Sequence, residues 1–118
     1  MAIAVGFSSK PEGRAALETA LSEARLRDLP IVVVAAEQGD YDEAEKLLAD
    51  SGIEFSIHRP GELQTLSDAL MDRVHSEAVE FIIIGLRRRS PVGKLLLGSN
   101  AQRILLDAPC PVVAVKAD

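Results

Sequence analysis

The sequence predicts a single α/β domain spanning residues 1–118, built on an open five-stranded parallel sheet with helices on both faces. Short, unbroken apolar runs rich in β-branched residues fit strands that are buried on both faces. A segment with helical spacing separates each run from the next, and this alternation is typical of parallel strands joined by right-handed crossovers. The five predicted strands are Ala2–Phe7, Ile31–Ala36, Ile53–Ile57, Phe81–Ile84 and Val112–Val115.

Four helices are predicted between these strands. The first carries a stripe of alanines and leucines at i, i+3, i+4 spacing, with Pro11 in its first turn. The second is short, and Gly52 is suited to the position just after its end. The third is marked by apolar residues between positions 63 and 74, and the fourth ends before Pro109. The residues that mark the second, third and fourth helices are Tyr41–Leu48, Leu63, Leu66, Ala69, Leu70, Val74 and Ser99–Leu106.

Composition excludes several classes of protein. The chain has 18 acidic and 13 basic side chains, for a net charge of −5, whereas nucleic-acid-binding domains are usually basic. The single cysteine, Cys110, rules out an intramolecular disulfide and a zinc site built from several cysteines. No apolar run approaches the length of a membrane span, and residues 1–7 have the pattern of a first strand rather than a signal peptide. We therefore expect a cytoplasmic protein.

Two of the predicted strands end at glycine-containing segments, Gly6–Ser9 and Gly85. Ligands of open α/β sheets bind at the carboxyl ends of strands, where the strand order reverses. If the first and fourth strands are neighbours, the sheet has the order 3-2-1-4-5. The sequence then predicts a binding crevice between strands one and four.

The loop that follows strand four is the most informative segment of the chain. It runs from Gly85 to the helix start at Gly98-Ser99 and carries Arg87, Arg88, Arg89 and Lys94. Helix N-termini offer unpaired N–H groups and partial positive charge to a phosphate. Two interpretations remain open on these residues alone, a phosphate site and a solvated basic loop. Neither a P-loop nor a dinucleotide-binding glycine motif is present.

The spacing of this loop resembles the ATP-binding pattern G-x2-G-x9-G-[ST] of the universal stress protein family. Gly85, position 88 and Gly98-Ser99 reproduce that spacing, and the segments from Val5 to Leu17 and from Ala108 to Val115 are similar to the family's first and last strands. The resemblance covers essentially the whole chain. It implies the nucleotide-binding α/β fold of that family, with strand order 3-2-1-4-5 and ATP at the strand-one/strand-four crevice.

The resemblance also implies which residues form the site. Ala35 would face the adenine, Ser8 and Ser9 would lie near the ribose, and four residues besides Gly85 would surround the phosphates: Arg88, Gly98, Ser99 and Asn100. Two positions depart from the family pattern. Ser8 replaces an acidic residue that meets the nucleotide, and Arg88 replaces the second glycine of the motif.

The function implied is that of a non-catalytic, ATP-binding stress protein, with at most slow incidental hydrolysis and with Mg²⁺ as a possible companion of the ligand. Nucleotide would order the loop from Leu86 to Leu97, which would then present a changed surface to an unidentified protein partner. Two alternatives stay open. One is an interaction module of the same fold that has lost nucleotide binding. The other is an enzyme acting on a small phosphorylated substrate, with Arg88 and Lys94 as clamps.

The remaining chemically versatile residues are assigned no catalytic or metal-binding role. His58 and His75 have no partner placed by the sequence, and Cys110 fits a small hydrophobic residue at a strand entry. The acidic segment from Asp40 to Glu45 suits the first turn of a helix.

The last strand, Val112–Val115, is predicted at an exposed sheet edge, where strands tend to pair with another chain. Since family members commonly pair there, we expect a homodimer.

Overall fold

The apolar runs assemble into the predicted parallel sheet, whose strand order β3-β2-β1-β4-β5 confirms the expected topology. The computed structural model describes residues 1–87 and 97–117. Four helices alternate with the five strands. In chain order the elements are β1 (Ala2–Phe7), α1 (Pro11–Arg27), β2 (Ile31–Ala35), α2 (Gln38–Ala49), β3 (Phe55–His58), α3 (Leu66–Ser76), β4 (Val79–Arg87), α4 (Ser99–Asp107) and β5 (Val112–Ala117).

Strand β4 is longer than the sequence suggested, because its pairing with β5 continues beyond the apolar run. Gly85 pairs with Val115, and the ladder extends to Arg87. Gly85 was expected to follow the strand, and that prediction is wrong: the residue lies within β4.

Helix α3 begins later than its apolar spacing suggested. Thr65 and Asp68 form a capping box, in which the Thr65 hydroxyl oxygen accepts a hydrogen bond from the Asp68 N–H at 3.1 Å. This cap fixes the helix start at Leu66. Leu63, predicted to mark this helix, precedes it and is 98% exposed.

The sheet separates two hydrophobic clusters because successive strand residues point to opposite faces. On one face, Ile3, Val5 and Phe7 of β1 pack with buried residues of α1 and α2. On the other face, Ala4 of β1 and Ile82 of β4 pack with buried residues of α3 and α4. The central strands are therefore covered on both sides, and their carboxyl ends meet at one edge of the sheet.

Ion pairs join the helices of each face. Arg14 of α1 donates two hydrogen bonds to Glu43 of α2, at 2.9 and 3.0 Å, and this contact holds the pKa of the Glu43 carboxyl below its ordinary value. Arg103 of α4 pairs with Asp68 of α3. Hydrogen bonding from the Thr65 backbone, followed by the Arg103 contact, lowers the pKa of Asp68. Both pairs are partly exposed, so they orient the helices more than they stabilise the fold.

Candidate functional site: a cleft between β1 and β4

A cleft of about 300 Å³ opens at the carboxyl edge of the sheet, between β1 and β4. This volume lies at the lower end of the range for small-molecule pockets. The residue pairs that join β1 to β4 and β1 to β2 place the cleft where the strand order reverses, the position at which open α/β sheets bind ligands. Polar and charged residues reach it from three segments of the chain: Ser8, Lys10, Glu12, Arg87 and Asn100.

Two glycines allow the start of α1 to lie directly against the strand ends. A Cβ atom at Gly13 would overlap the backbone of Ser8, and one at Gly85 would overlap the carbonyl group of Glu12. Any larger residue at either position would push α1 away from β1 and β4. The family resemblance implies that Gly85 lies among the residues around the phosphates. In the structure, α1 fills the space beside its Cα, although Gly85 still lines the cleft.

The N-terminus of α4 borders the cleft, and its N-cap residue, Gly98, supplies no side-chain cap. Its first residues follow Gly98, which has an extended backbone, no side chain to accept from the helix N–H groups and open space around its Cα. Helix α4 also has no acidic residue in its first turn. The backbone N–H groups at this end, with their share of the helix dipole, therefore lie at the border of a cleft that Lys10 and Arg87 also line.

The N-termini of the other three helices differ from that of α4, because each has a capping side chain or a carboxylate in its first turn. In α3, Thr65 and Asp68 satisfy each other's backbone N–H groups. In α2, Asp40 in the first turn accepts from the Glu37 N–H at 3.2 Å. Helix α1 has no capping hydrogen bond from Lys10, but Glu12 places a carboxylate in its first turn. Among the described helices, α4 therefore offers the N-terminus best suited to an anion.

Asn100 fixes α4 relative to α3. Its side-chain oxygen accepts a hydrogen bond from the backbone N–H of Ser67, the second residue of α3, at 3.0 Å. Ser67 is 3% exposed, so this bond satisfies a donor that water does not reach. Asn100 also lines the cleft. The residue thus positions the α4 N-terminus while facing the place where a ligand would lie.

Ser9 makes hydrogen bonds to Asp40 and does not line the cleft. Its N–H and its hydroxyl both donate to Oδ1 of Asp40, at 3.0 and 2.7 Å. The other oxygen of Asp40 accepts from Glu37. This carboxylate therefore ties the β1–α1 loop to the start of α2, a role beyond the favourable helix-end charge inferred from the sequence.

The predicted site residues divide into three groups. Four of them line the cleft: Ser8, Gly85, Gly98 and Asn100. Three do not: Ser9 is bonded to Asp40, Ala35 has no exposed surface, and Ser99 is exposed at the first position of α4. In place of Ala35, the next residue, Ala36, lines the cleft. Arg88, together with Arg89 and Lys94, lies outside the described residues.

The sequence reasoning missed Lys10 and Glu12, although both lie inside the segment that resembles the family's first strand and helix. Their side chains reach the cleft because the glycine at position 13 brings the helix start close to Ser8. The available signal was the pair of charges flanking Pro11, directly after the turn that follows β1. Helical periodicity alone assigns such first-turn charges to solvent.

The other titratable residues singled out in the sequence lie away from the cleft. Partial burial lowers the pKa of His58, with a smaller contribution from Arg73, and its Nε2 lies 3.0 Å from the Ser56 hydroxyl. Burial raises the pKa of the Cys110 thiol, which suits a packing residue more than a nucleophile.

Within residues 1–87 and 97–117, His, Cys, Asp and Glu side chains form no group of three or more suited to a metal ion. None of the described helices is long and apolar enough to cross a lipid bilayer.

Comparison with known proteins gives a consistent result. The profile of the Universal stress protein family matches residues 1–116. A universal stress protein of Mycolicibacterium smegmatis is 42% identical over 97% of this chain and 96% of its own length. A solved universal stress protein from Archaeoglobus fulgidus has a TM-score of 0.78 and 31% identity, covering 98% of both chains. Another structure from that organism, of the universal stress protein in complex with dAMP, has a TM-score of 0.76 and 24% identity, with 98% coverage of both chains.

Proposed function

The chain belongs to the universal stress protein family, and on that premise we propose that it binds an adenine nucleotide, ATP, in the cleft between β1 and β4. The observation that carries the proposal is the N-terminus of α4, which receives no cap from its N-cap residue, Gly98, and borders this cleft together with Lys10 and Arg87. Backbone N–H groups at a helix start, combined with cationic side chains, bind the phosphates of a nucleotide.

The arrangement of the cleft supports one orientation of the nucleotide. The phosphates lie at the start of α4, after β4, and the base lies toward the end of β2, where the small apolar residue Ala36 lines the cleft. The ribose then lies over β1, near Ser8. A relative of the same fold, from Archaeoglobus fulgidus, is known in complex with dAMP, which supports an adenylate as the ligand class.

We propose a binding role without catalysis. The described lining of the cleft contains one carboxylate, Glu12, and two cations, Lys10 and Arg87, but no histidine, cysteine or second carboxylate. Hydrolysis of a phosphoanhydride requires a positioned water and groups that stabilise the developing charge around a metal-bound phosphate. A nucleotide held at the α4 N-terminus instead changes the surface around the cleft, which a partner protein can recognise.

We further propose that the protein is a homodimer that pairs through β5. This strand lies at the edge of the sheet and pairs with β4 alone. Val113 on β5 is 41% exposed, and the neighbouring helix α4 exposes Leu105 and Leu106 by 39% and 76%. An exposed strand edge beside apolar side chains suits pairing with a second copy about a two-fold axis.

Thermal unfolding with ATP, AMP and inorganic triphosphate, each with and without Mg²⁺, tests the nucleotide proposal. Ligand at one hundred times its dissociation constant stabilises the fold by about 2.7 kcal/mol, which raises the midpoint by roughly 10 °C for a domain of this size. We expect the rise with ATP to exceed that with AMP or triphosphate. Unchanged midpoints at millimolar ligand would contradict the proposal and favour an interaction module that has lost its nucleotide.

A further inference from the structure

Glu12, one of the residues that line the cleft, carries a buried carboxylate oxygen that has no partner among the described residues. Its Oε2 atom has less than 1 Å² of accessible surface and accepts no hydrogen bond from the described residues. A buried acceptor without a donor is unfavourable, since folding has removed its water and supplied no replacement. Because Glu12 also lines the cleft, rotation of its carboxylate on ligand binding would bring this oxygen to a donor on the ligand.

From this arrangement we infer that Glu12 is a nucleotide-binding residue that accepts a hydrogen bond from a ribose hydroxyl. The inference rests on the proposed function, and it deepens that function by naming the residue that recognises the sugar. Ser8, which precedes it in the cleft, has a hydroxyl but no carboxylate. Glu12 supplies the carboxylate from the first turn of α1, four positions further along the chain.

The chemistry of the ligand restricts which of its groups Glu12 can meet. A carboxylate accepts hydrogen bonds and repels phosphate, so its partner on a nucleotide is a hydroxyl or an amino group. The order of the elements then selects the hydroxyl. The Glu12 backbone lies against Gly85 of β4, whereas the proposed sites of the base and of the phosphates are at the end of β2 and at the start of α4. In a nucleotide, the group between base and phosphate is the ribose.

Calorimetric titration of wild type and Glu12→Gln with ATP, 2′-deoxy-ATP, 3′-deoxy-ATP and inorganic triphosphate tests the inference. Glutamine keeps the shape of the side chain and removes its charge. We expect wild type to prefer ATP over at least one deoxynucleotide by on the order of tenfold, the size of a hydrogen bond to a charged group. In Glu12→Gln, affinity for ATP falls by a similar factor and this preference disappears. Affinity for triphosphate does not fall, because a nearby negative charge has been removed.

Glu18→Gln is the matched control, since it removes the same charge from an exposed position of α1. It should bind all four ligands as wild type does. If wild type binds ATP and Glu12→Gln keeps both the affinity and the preference for ribose, the assignment of Glu12 is overturned while nucleotide binding stands. An equal loss for ATP and both deoxynucleotides also overturns it. If wild type binds no nucleotide, the proposed function and the assignment fail together.

Discussion

The carbonyl group of Glu12 fills the space that a side chain at Gly85 would need. This contact brings the first turn of α1 onto β4 at the cleft, which both residues line. The same turn carries the Glu12 side chain, so the packing of two segments more than 70 positions apart in the chain determines where a carboxylate meets a ligand.

Gly85→Ala should destabilise the fold, because the new methyl group overlaps backbone that has no room to move without displacing α1. We expect a loss of about 1–3 kcal/mol in the free energy of unfolding, as for other overpacked sites, measured by urea denaturation. Gly39→Ala in α2 is the control, since nothing lies within 4 Å of the added methyl group. Because Gly39 is the second residue of α2, this substitution should not destabilise the protein and should gain less than the roughly 0.5–1 kcal/mol expected in the middle of a helix. Equal effects of the two substitutions would show that the contact with Glu12 is not tight.

Gly98→Asp should separate stability from binding. The new carboxylate can cap the N–H groups at the start of α4, which stabilises the fold by roughly 0.3 kcal/mol relative to glycine. It also occupies the place of the phosphates with a negative charge, so affinity for ATP should fall by more than about tenfold. Gly98→Asn adds a side chain of nearly the same size that can also cap the helix but carries no charge, so its affinity for ATP should exceed that of Gly98→Asp by about tenfold. Both affinities are measured by calorimetry, and unimpaired binding by Gly98→Asp would place the phosphates elsewhere.

Asn100→Ala should destabilise the protein by about 1–3 kcal/mol, because it leaves the buried Ser67 N–H without an acceptor. Asn100→Asp keeps the acceptor and should retain the stability of wild type in chemical denaturation. The order is reversed for ATP affinity. Asn100→Asp should bind ATP more weakly than Asn100→Ala, since the aspartate adds a negative charge beside the phosphates. Equal stability of the alanine and aspartate variants would refute the structural role of this side chain.

His58 should make stability depend on pH in a mildly acidic range. Burial lowers its pKa in the folded state, so the unfolded chain binds more protons than the folded chain. The free energy of unfolding therefore falls as pH drops through the ordinary histidine pKa of about 6.5, and the contribution is present above that value. His58→Gln should reduce the slope of stability against pH between about 5 and 7. An unchanged slope would mean that other groups produce it.

Val113→Lys should disrupt the proposed dimer, because a charge on an edge strand opposes pairing with a second copy. Sedimentation of wild type should give twice the monomer mass of 12.6 kDa, and the variant should sediment as a monomer. Glu54→Lys, ahead of β3 at the opposite edge of the sheet, is the control and should remain a dimer. A monomeric wild type at micromolar concentration would contradict the proposal.

The fold could be predicted from sequence because its determinants are local or periodic. Unbroken apolar runs mark buried parallel strands, and the regular alternation with helices leaves few possible topologies. The strand order also required the assumption that strands one and four are neighbours, which the observed pairing of Ile3 with Phe81 confirms.

The details of the site depended on contacts between distant segments, which no local pattern encodes. Ser9 was expected near a ribose, but it is bonded to Asp40, 31 positions away. Ala35 was expected to face the adenine, but Ala35 is buried and the next residue, Ala36, lines the cleft. Successive residues at a strand end point to opposite sides, so a shift of one residue changes which alanine reaches the cleft. Glu12 reaches the cleft because two glycines, at positions 13 and 85, allow α1 to approach the sheet.

The most direct test of the nucleotide site is a titration of ¹⁵N-labelled protein with ATP, followed through its backbone amide resonances. We predict that the largest shifts occur at Ser99, Asn100 and Ala101, the first residues of α4, and at Glu12 and Gly13. The amides of Gln38 to Tyr41 at the start of α2, where Asp40 occupies the first turn, should change little. Shifts that leave the start of α4 unaffected, or the absence of any shift at millimolar ATP, would contradict the account.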